Sequence, residues 1–334
     1  MSDLQSRLNE YLFKNGQKAE VQQLTPDAST REYFRIEWKG KSAIACVYPE
    51  AFVASEQSYL DVTRLFLNSG LPVADIYAFD EALGIIVQED LGDAILRDVL
   101  VKSDDRRRNE LINESIRLIA QIQSATQTAF NTGSIASTLK FDTEKLLWEL
   151  NFFREHYFET LKKRSLSTAE NAILDRDFLI LSNELEKRAS VLCHRDFHAA
   201  NLMIDANGRL RIIDHQDARI GSVAYDLVSL LLDRVTGPPP ADWLLEKQRS
   251  LLTCREQFDL ASIDEDDFTY EFRLQTVQRC LKAIGTFSFQ SVNRGKTYFL
   301  PYIKPMFEIV VRALHNLEGF PELAAVIQEQ LTDD

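Results

Sequence analysis

Three oxygen-bearing side chains stand in an order that suits phosphoryl transfer: Asp196, then Asn201, then Asp214. That reaction needs one carboxylate to receive the proton of an attacking hydroxyl. It also needs an amide oxygen and a second carboxylate to hold Mg²⁺ against nucleotide phosphates, hard oxygen ligands suiting a hard cation. Asp196 has the type for the first task, and Asn201 and Asp214 for the second. Each alone has an ordinary structural reading as a turn or strand-end group bonding its own backbone. The three together, in this order, favour the chemistry.

The elements that must position them lie between Val191 and Asp226, VLCHRDFHAANLMIDANGRLRIIDHQDARIGSVAYD. Leu202-Met203-Ile204 and Leu210-Arg211-Ile212-Ile213 are too short for helices. They flank Asp205 to Arg209, where Asn207-Gly208 tolerates the positive φ of a tight turn, so a β-hairpin is expected. Asp196 and Asn201 precede its first strand and Asp214 follows its second, which brings all three to one edge. His194-Arg195-Asp196, four residues, Asn201, then a strand ending in Asp resembles the catalytic and metal-binding loops of protein-kinase-like enzymes.

With 334 residues, 45% of them hydrophobic, the chain can bury a large core in two lobes or domains. A net charge of -13 argues against a nucleic-acid partner, whose phosphates it would repel. The same charge is first a solubility feature, although it would also attract a cationic substrate. Cys46, Cys193, Cys254 and Cys280 are scattered without C-x-x-C pairing, which suggests reduced thiols rather than a zinc site or disulfides. The N-terminus lacks the pattern of a signal peptide and no long uncharged apolar run occurs. A cytoplasmic protein with no membrane partner is expected.

Along the chain, strands are expected at Val21 to Leu24, Arg31 to Trp38, Ser42 to Tyr48, Val73 to Phe79 and Gly84 to Gln88, with a helix from Ser55 to Asn68 inserted. Phe34, Ile36 and Trp38 share one face. Ser29 and Thr30 sit in the turn before the second strand, and backbone N–H groups and hydroxyls there could cradle phosphate, although such turns are usually plain hairpin loops. Beyond Glu89 to Gly92 nearly everything except the catalytic hairpin carries helical stripes, at about 105–122, 143–161 and 168–187. The boundary is therefore placed after Leu91, giving lobes 1–91 and 92–334. Phe287, Phe289, Tyr298, Phe299 and Tyr302 flank Asn293-Arg294-Gly295-Lys296; this cluster could stack on a sugar ring or belong to the core.

These features together resemble the aminoglycoside phosphotransferase family, a small-molecule branch of the kinase-like fold. Ala28-Ser29-Thr30-Arg31-Glu32-Tyr33-Phe34-Arg35, His194-Arg195-Asp196-Phe197-His198 and Ile213-Asp214-His215-Gln216-Asp217-Ala218 with Tyr225-Asp226-Leu227 are similar to the bacterial anomeric kinases for N-acetylmuramate and N-acetylglucosamine. Those enzymes phosphorylate the C1 hydroxyl in peptidoglycan recycling. The resemblance implies an α+β, bilobal protein-kinase-like fold with an antiparallel sheet lobe and a mainly helical lobe. It implies ATP and Mg²⁺ as cofactors, Asp196 as catalytic base, Asn201 and Asp214 on the metal, and Ser29, Thr30 and Arg31 on the phosphates. Gln88, Glu89 and Leu91 fall at the hinge that would hold adenine, and Asp226 would orient the catalytic loop.

Proximity to the catalytic segment places His198, Asp217, Asp233 and Arg234 beside Asp196 around a small-molecule sugar, and a monomer is favoured. One departure stands out. Ile44-Ala45-Cys46-Val47 carries no third-strand lysine, leaving Arg31, Arg35 or Lys41 as replacement cations and Glu56 without the lysine it would pair. Two alternatives stay open: another acceptor, such as an aminoglycoside, a choline-like alcohol or other hydroxylated metabolite, and a nucleotide-binding regulatory protein without turnover.

Overall fold

Alternating apolar residues build the first lobe, a sheet covered on both faces. The computed structural model describes residues 3–18, 20–24 and 31–332. Helix α1 (Asp3–Lys14) leads to β1 (Val21–Leu24), β2 (Glu32–Trp38) and β3 (Lys41–Val47); after α2 (Ser58–Asn68) come β4 (Ile76–Asp80) and β5 (Ile85–Glu89). The strand order is β1-β2-β3-β5-β4, every neighbour antiparallel. Period-2 alternation puts Phe34, Ile36 and Trp38 on the face that α1 covers with Leu8, Tyr11 and Leu12. On the other face Cys46 and Ile86 pack against Leu60 of α2, with Tyr33 alongside.

Helix α2 serves both lobes. Its Val62, Leu65 and Phe66 belong to the large core of the second lobe, while Leu60 belongs to the sheet. That second lobe is helical: α3 (Leu96–Lys102), α4 (Asp105–Ser124), α5 (Thr126–Thr132), α6 (Ile135–Thr138) and α7 (Thr143–Phe153), which runs into a π-helical turn at Arg154–Leu161. Then follow α8 (Thr168–Arg188), α9 (Tyr225–Leu232), α10 (Ala241–Gln257), α11 (Glu265–Asn293), α12 (Ile303–Leu314) and α13 (Pro321–Glu329). Asp104, Asp142, Ser167 and Asp264 cap α4, α7, α8 and α11 through side-chain oxygens, so these starts are written in the sequence.

The long α11 runs through the core and is buried along most of its length. It approaches α7 closely at Gly285, where a Cβ would lie 2.6 Å from the Phe153 Cα, so the contact depends on glycine. Between α8 and α9 lie the short strands β6 (Val191–Cys193), β7 (Leu202–Ile204), β8 (Leu210–Ile212) and β9 (Arg219–Gly221). The β7–β8 hairpin is the expected one, with Gly208 at φ 76° in its turn. The β6–β9 pair is new: three residues a side, with no turn between them to signal it.

Candidate active site

The catalytic segment is held from behind by one buried carboxylate. Asp226, in the first turn of α9, accepts the backbone N–H groups of His194 at 2.7 Å and Arg195 at 3.1 Å. Burial pushes its pKa up to about 6, against the opposing pull of His194 and those two N–H groups. The His194 Nε2 lies 2.9 Å from the Ile213 carbonyl, which can only accept, so that nitrogen carries the proton and ties the two loops together. Arg195 (φ 84°) and Asp214 (φ 62°) both take left-handed backbone that non-glycine residues seldom adopt. Each bend lies at the chemistry, where such strain tends to collect.

Asn201 joins the other two predicted residues. Its Nδ2 donates to the Asp196 carbonyl at 3.0 Å and to Oδ2 of Asp214 at 3.3 Å, and its own carbonyl accepts from the Ile213 N–H at 3.1 Å. The amide nitrogen is thereby spent, which leaves the amide oxygen and the Asp214 carboxylate as the hard donors. Gln216 Nε2 steadies Asp214 Oδ1 from 2.9 Å. Among the described residues no cluster of three or more His, Cys, Asp or Glu side chains could hold a metal by itself. Two protein oxygens completed by substrate phosphates and water is the usual manner of holding Mg²⁺, so the donor set fits that ion.

Asp196 faces a cleft of about 180 Å³ in the helical lobe. Its Oδ1 is 3.3 Å from Nη2 of Arg279 and 3.6 Å from Nζ of Lys282, both on α11. Burial pushes the carboxyl pKa up, but Lys282, Arg279 and Arg195 outweigh it and hold Asp196 well below the usual carboxylate range. His198, Asp233, Arg234 and Lys296 also line this cleft, with Phe287, Phe299 and Tyr298 as its aromatic part. Phe289 packs instead against Phe152 and His156. Asp217 departs from the expected position: Arg195 holds it at 3.0 Å and Arg219 at 3.7 Å, which turns it away from the cleft lining.

At the hinge, the predicted side chains are already engaged. Gln88 Oε1 accepts from the Tyr59 hydroxyl at 2.5 Å. Glu89 forms an ion pair with Arg211 of β8, whose Nη2 also donates to the Val73 carbonyl at 2.8 Å, so one arginine fastens the catalytic hairpin to the sheet lobe. Leu91 is buried, and no hydrogen bond among the described residues uses its backbone N–H or C=O. Any contact of this hinge with a base therefore falls to backbone rather than to Gln88 or Glu89 side chains.

Ser29 and Thr30 lie outside the described residues. Cys46, one residue from the end of β3, is buried with its thiol pushed up to about 11 by burial. Of the three candidate cations, Arg35 is clamped by Asp90 at 2.7 Å and Asp93 at 2.7 Å, and Lys41 is exposed at the far end of β3. Arg31 stands on the Cys46 side of the sheet, 5.8 Å from the Tyr33 ring centroid and 5.5 Å from that of Tyr48. Glu56 is exposed in the turn before α2. The helix instead reaches the metal loop through Thr63, whose hydroxyl donates to the Tyr59 carbonyl at 2.6 Å and accepts from His215 Nε2 at 2.7 Å.

Sequence reasoning missed Arg279 and Lys282. The available signal was two cations three residues apart in a helical stretch with no acidic residue and with apolar Val277, Cys280, Leu281 and Ala283 around them. A basic pair in such a helix must be buried beside an anion.

The family model described as the phosphotransferase enzyme family matches residues 20–265. The chain belongs to this family. It is accordingly a phosphotransferase with a hydroxyl acceptor, and its bilobal α+β fold is protein-kinase-like. The chain is similar to the N-acetylmuramate/N-acetylglucosamine kinase of Neisseria meningitidis serogroup B, 28% identical over 321 residues that cover 92% of this chain and 90% of that protein. The protein of the same name in Pseudomonas putida is 25% identical over 310 residues, covering 91% and 86%. Among solved structures, the streptomycin-ATP-APH(2")-IIa ternary complex superposes with a TM-score of 0.58 at 18% identity, covering 90% of this phosphotransferase and 97% of that chain. Choline kinase LicA from Streptococcus pneumoniae gives 0.57 at 14% identity, covering 93% and 100%. Among the described residues no helix is long and apolar enough to cross a membrane.

Proposed function

We propose that this phosphotransferase moves the terminal phosphoryl group of ATP to the anomeric C1 hydroxyl of N-acetylmuramate or N-acetylglucosamine, serving peptidoglycan recycling in the cytoplasm. The observation that carries the reading is the Asn201 side chain spanning Asp196 and Asp214. In this mechanism the sugar hydroxyl binds against Asp196, which is ionised at neutral pH and receives the hydroxyl proton as the oxygen attacks. Asn201 and Asp214 would hold Mg²⁺, which when bound neutralises phosphate charge. Asp226 keeps the Asp196 loop in place through two N–H groups. The nucleotide lies between the lobes, divided after Leu91, with Ser29, Thr30 and Arg31 toward its phosphates and the Glu89–Leu91 backbone toward adenine.

The choice of acceptor rests on the cleft beside Asp196. In a chain of net charge -13, this lining carries Arg234, Arg279, Lys282 and Lys296 against Asp196 and Asp233. Such a surface suits a neutral or acidic sugar and repels an aminoglycoside or a choline-like alcohol. His198, Asp233 and Arg234 would line the bound sugar. A steady-state assay of N-acetylmuramate, N-acetylglucosamine, an aminoglycoside and choline tests this. The expected kcat/KM is at least about 10²-fold higher for the sugars, the scale of a mispaired charge in a binding site. The sugar product should be acid-labile and alkali-stable, as a 1-phosphate is. Preferred turnover of either cationic acceptor overturns the sugar assignment.

A further inference from the structure

Resting on the proposed reaction, we infer that Lys282 of α11 contacts the transferring phosphoryl group and supplies the positive charge that the family motifs of this chain omit. The place where a third-strand lysine would stand is filled by Cys46, and the segment Asp196-Phe197-His198-Ala199-Ala200-Asn201 contains no lysine or arginine. Charge on the transferring group must still be met, since phosphoryl transfer is catalysed chiefly by positioning and electrostatics.

Three cations surround Asp196, and two are occupied. Arg195 is 3.9 Å from Asp196 and is drawn toward Asp217 at 3.0 Å. Arg279 divides its Nη2 between Asp196 at 3.3 Å and the Ser229 hydroxyl at 3.1 Å. Lys282 lies three residues on, on the same face of the helix, and lines the cleft. Its one ion pair among the described residues is with Asp196, at 3.6 Å, too long for a hydrogen bond to hold it there. A compact ammonium on a flexible stem can swing from that carboxylate to a neighbouring phosphate oxygen, which a guanidinium fixed by several partners does less readily.

The step balances without any other reagent. The acceptor O–H proton passes to Asp196 and its oxygen bonds to the γ-phosphorus. The bond from that phosphorus to the β–γ bridging oxygen breaks, its electron pair leaving on ADP. An acceptor oxygen within hydrogen-bond reach of Asp196 puts the incoming phosphoryl oxygens beside the Lys282 ammonium.

The test compares Lys282→Ala and Lys282→Arg on N-acetylmuramate, which carries a carboxylate, and on N-acetylglucosamine, which does not. Lys282→Ala should lower kcat about 10²- to 10³-fold on both sugars, the loss seen when one stabilising donor is removed, with KM for sugar and ATP within about threefold. Added methylamine should restore part of that kcat, and Lys282→Arg should stay within about tenfold of the parent. Thermal melting establishes that each variant is folded, and Lys282→Met, which keeps a long stem without the charge and should lose kcat to the same extent, carries the test if the alanine variant is not. Unchanged kcat in a folded charge-free variant overturns the inference. So does a rise in KM confined to the acidic sugar, which would make Lys282 an acceptor-binding cation. If the unaltered enzyme phosphorylates neither sugar, the sugar reading fails separately. Lys282 is then scored on ATP hydrolysis, where water replaces the sugar and the same charge has to be met.

Discussion

The two sides of the interlobe region differ in charge. The sheet side carries Tyr33, Cys46, Tyr48 and Tyr59, all uncharged at neutral pH and pushed further from ionising by burial, Cys46 to about 11 and Tyr48 to about 12, with Arg31 as a cation beside the rings. The helical side gathers Asp196, Arg195, Arg279 and Lys282 around a single carboxylate. An aromatic-rich surface with few charges tolerates a nucleotide base at little desolvation cost, whereas packed opposite charges stabilise a group whose own charge is moving. The proposed reaction divides its labour accordingly: with Cys46 in β3, it leaves electrostatic work to α11 and the Asp196 loop.

The sharpest way to break this division is to remove the charge at its centre. Asp196→Asn keeps shape and hydrogen-bonding capacity but cannot take a proton. It should cost about 10²-fold or more in kcat, with a normal far-UV spectrum and a lowered melting temperature, because Arg279 and Lys282 lose their buried counter-charge. Near-normal turnover would show that the helical side does not house the base, and the contrast between the sides would lose its chemical meaning.

Much of this contrast is legible in the sequence. Period-2 alternation announces β2 with Phe34, Ile36 and Trp38 on one face, and Asn207-Gly208 announces the hairpin that brings Asn201 and Asp214 together. Local signals suffice there because the contacts are local. Proximity alone puts Asp217 beside the substrate, but Arg195, the residue immediately before Asp196, claims it; sequence spacing cannot say which of two neighbouring ions a side chain will choose. Arg279 and Lys282 reach Asp196 across more than eighty positions of chain, a separation no periodicity encodes. The Glu89–Arg211 pair and the Thr63–His215 contact were hidden for the same reason.

His215 joins the two sides and gives a pH-dependent test. It lies fully buried between Tyr59 and Phe66, with burial pushing its pKa down to about 3. A histidine with a lowered folded-state pKa contributes full stability above its unfolded value of roughly 6.5, and that contribution drains away as pH falls toward the folded value. Asp226, raised to about 6, acts in the opposite sense, so the parent protein alone would blur the two. His215→Phe keeps an aromatic ring in the stack and leaves Asp226 in both proteins, where its effect subtracts out. Between pH 7 and pH 5 the parent should lose about 2 kcal/mol of unfolding free energy relative to the variant, from about 1.5 pH units of unbalanced protonation. Parallel pH curves from chemical denaturation would mean that His215 takes up its proton while folded.

The smallest expected effect sharpens the comparison from the sheet side. Arg31 lies near the Tyr33 and Tyr48 rings on the Cys46 face, its Nη1 donating to the Tyr48 hydroxyl at 3.4 Å, and so places a cation on that surface; Arg35 is held by Asp90 and Asp93. If the sides divide their work as argued, Arg31 contributes to holding the nucleotide and little to the transfer itself. Arg31→Met retains a long apolar stem near the two rings and deletes the charge. KM for ATP should rise about tenfold, equivalent to about 1.4 kcal/mol, while kcat at saturating ATP stays within about threefold and KM for the sugar does not move. A kcat loss as large as that of Asp196→Asn would place transition-state work on the sheet side as well. Cys46 would then be a vacancy that Arg31 fills in full, and α11 would no longer be needed to explain how the charge is met.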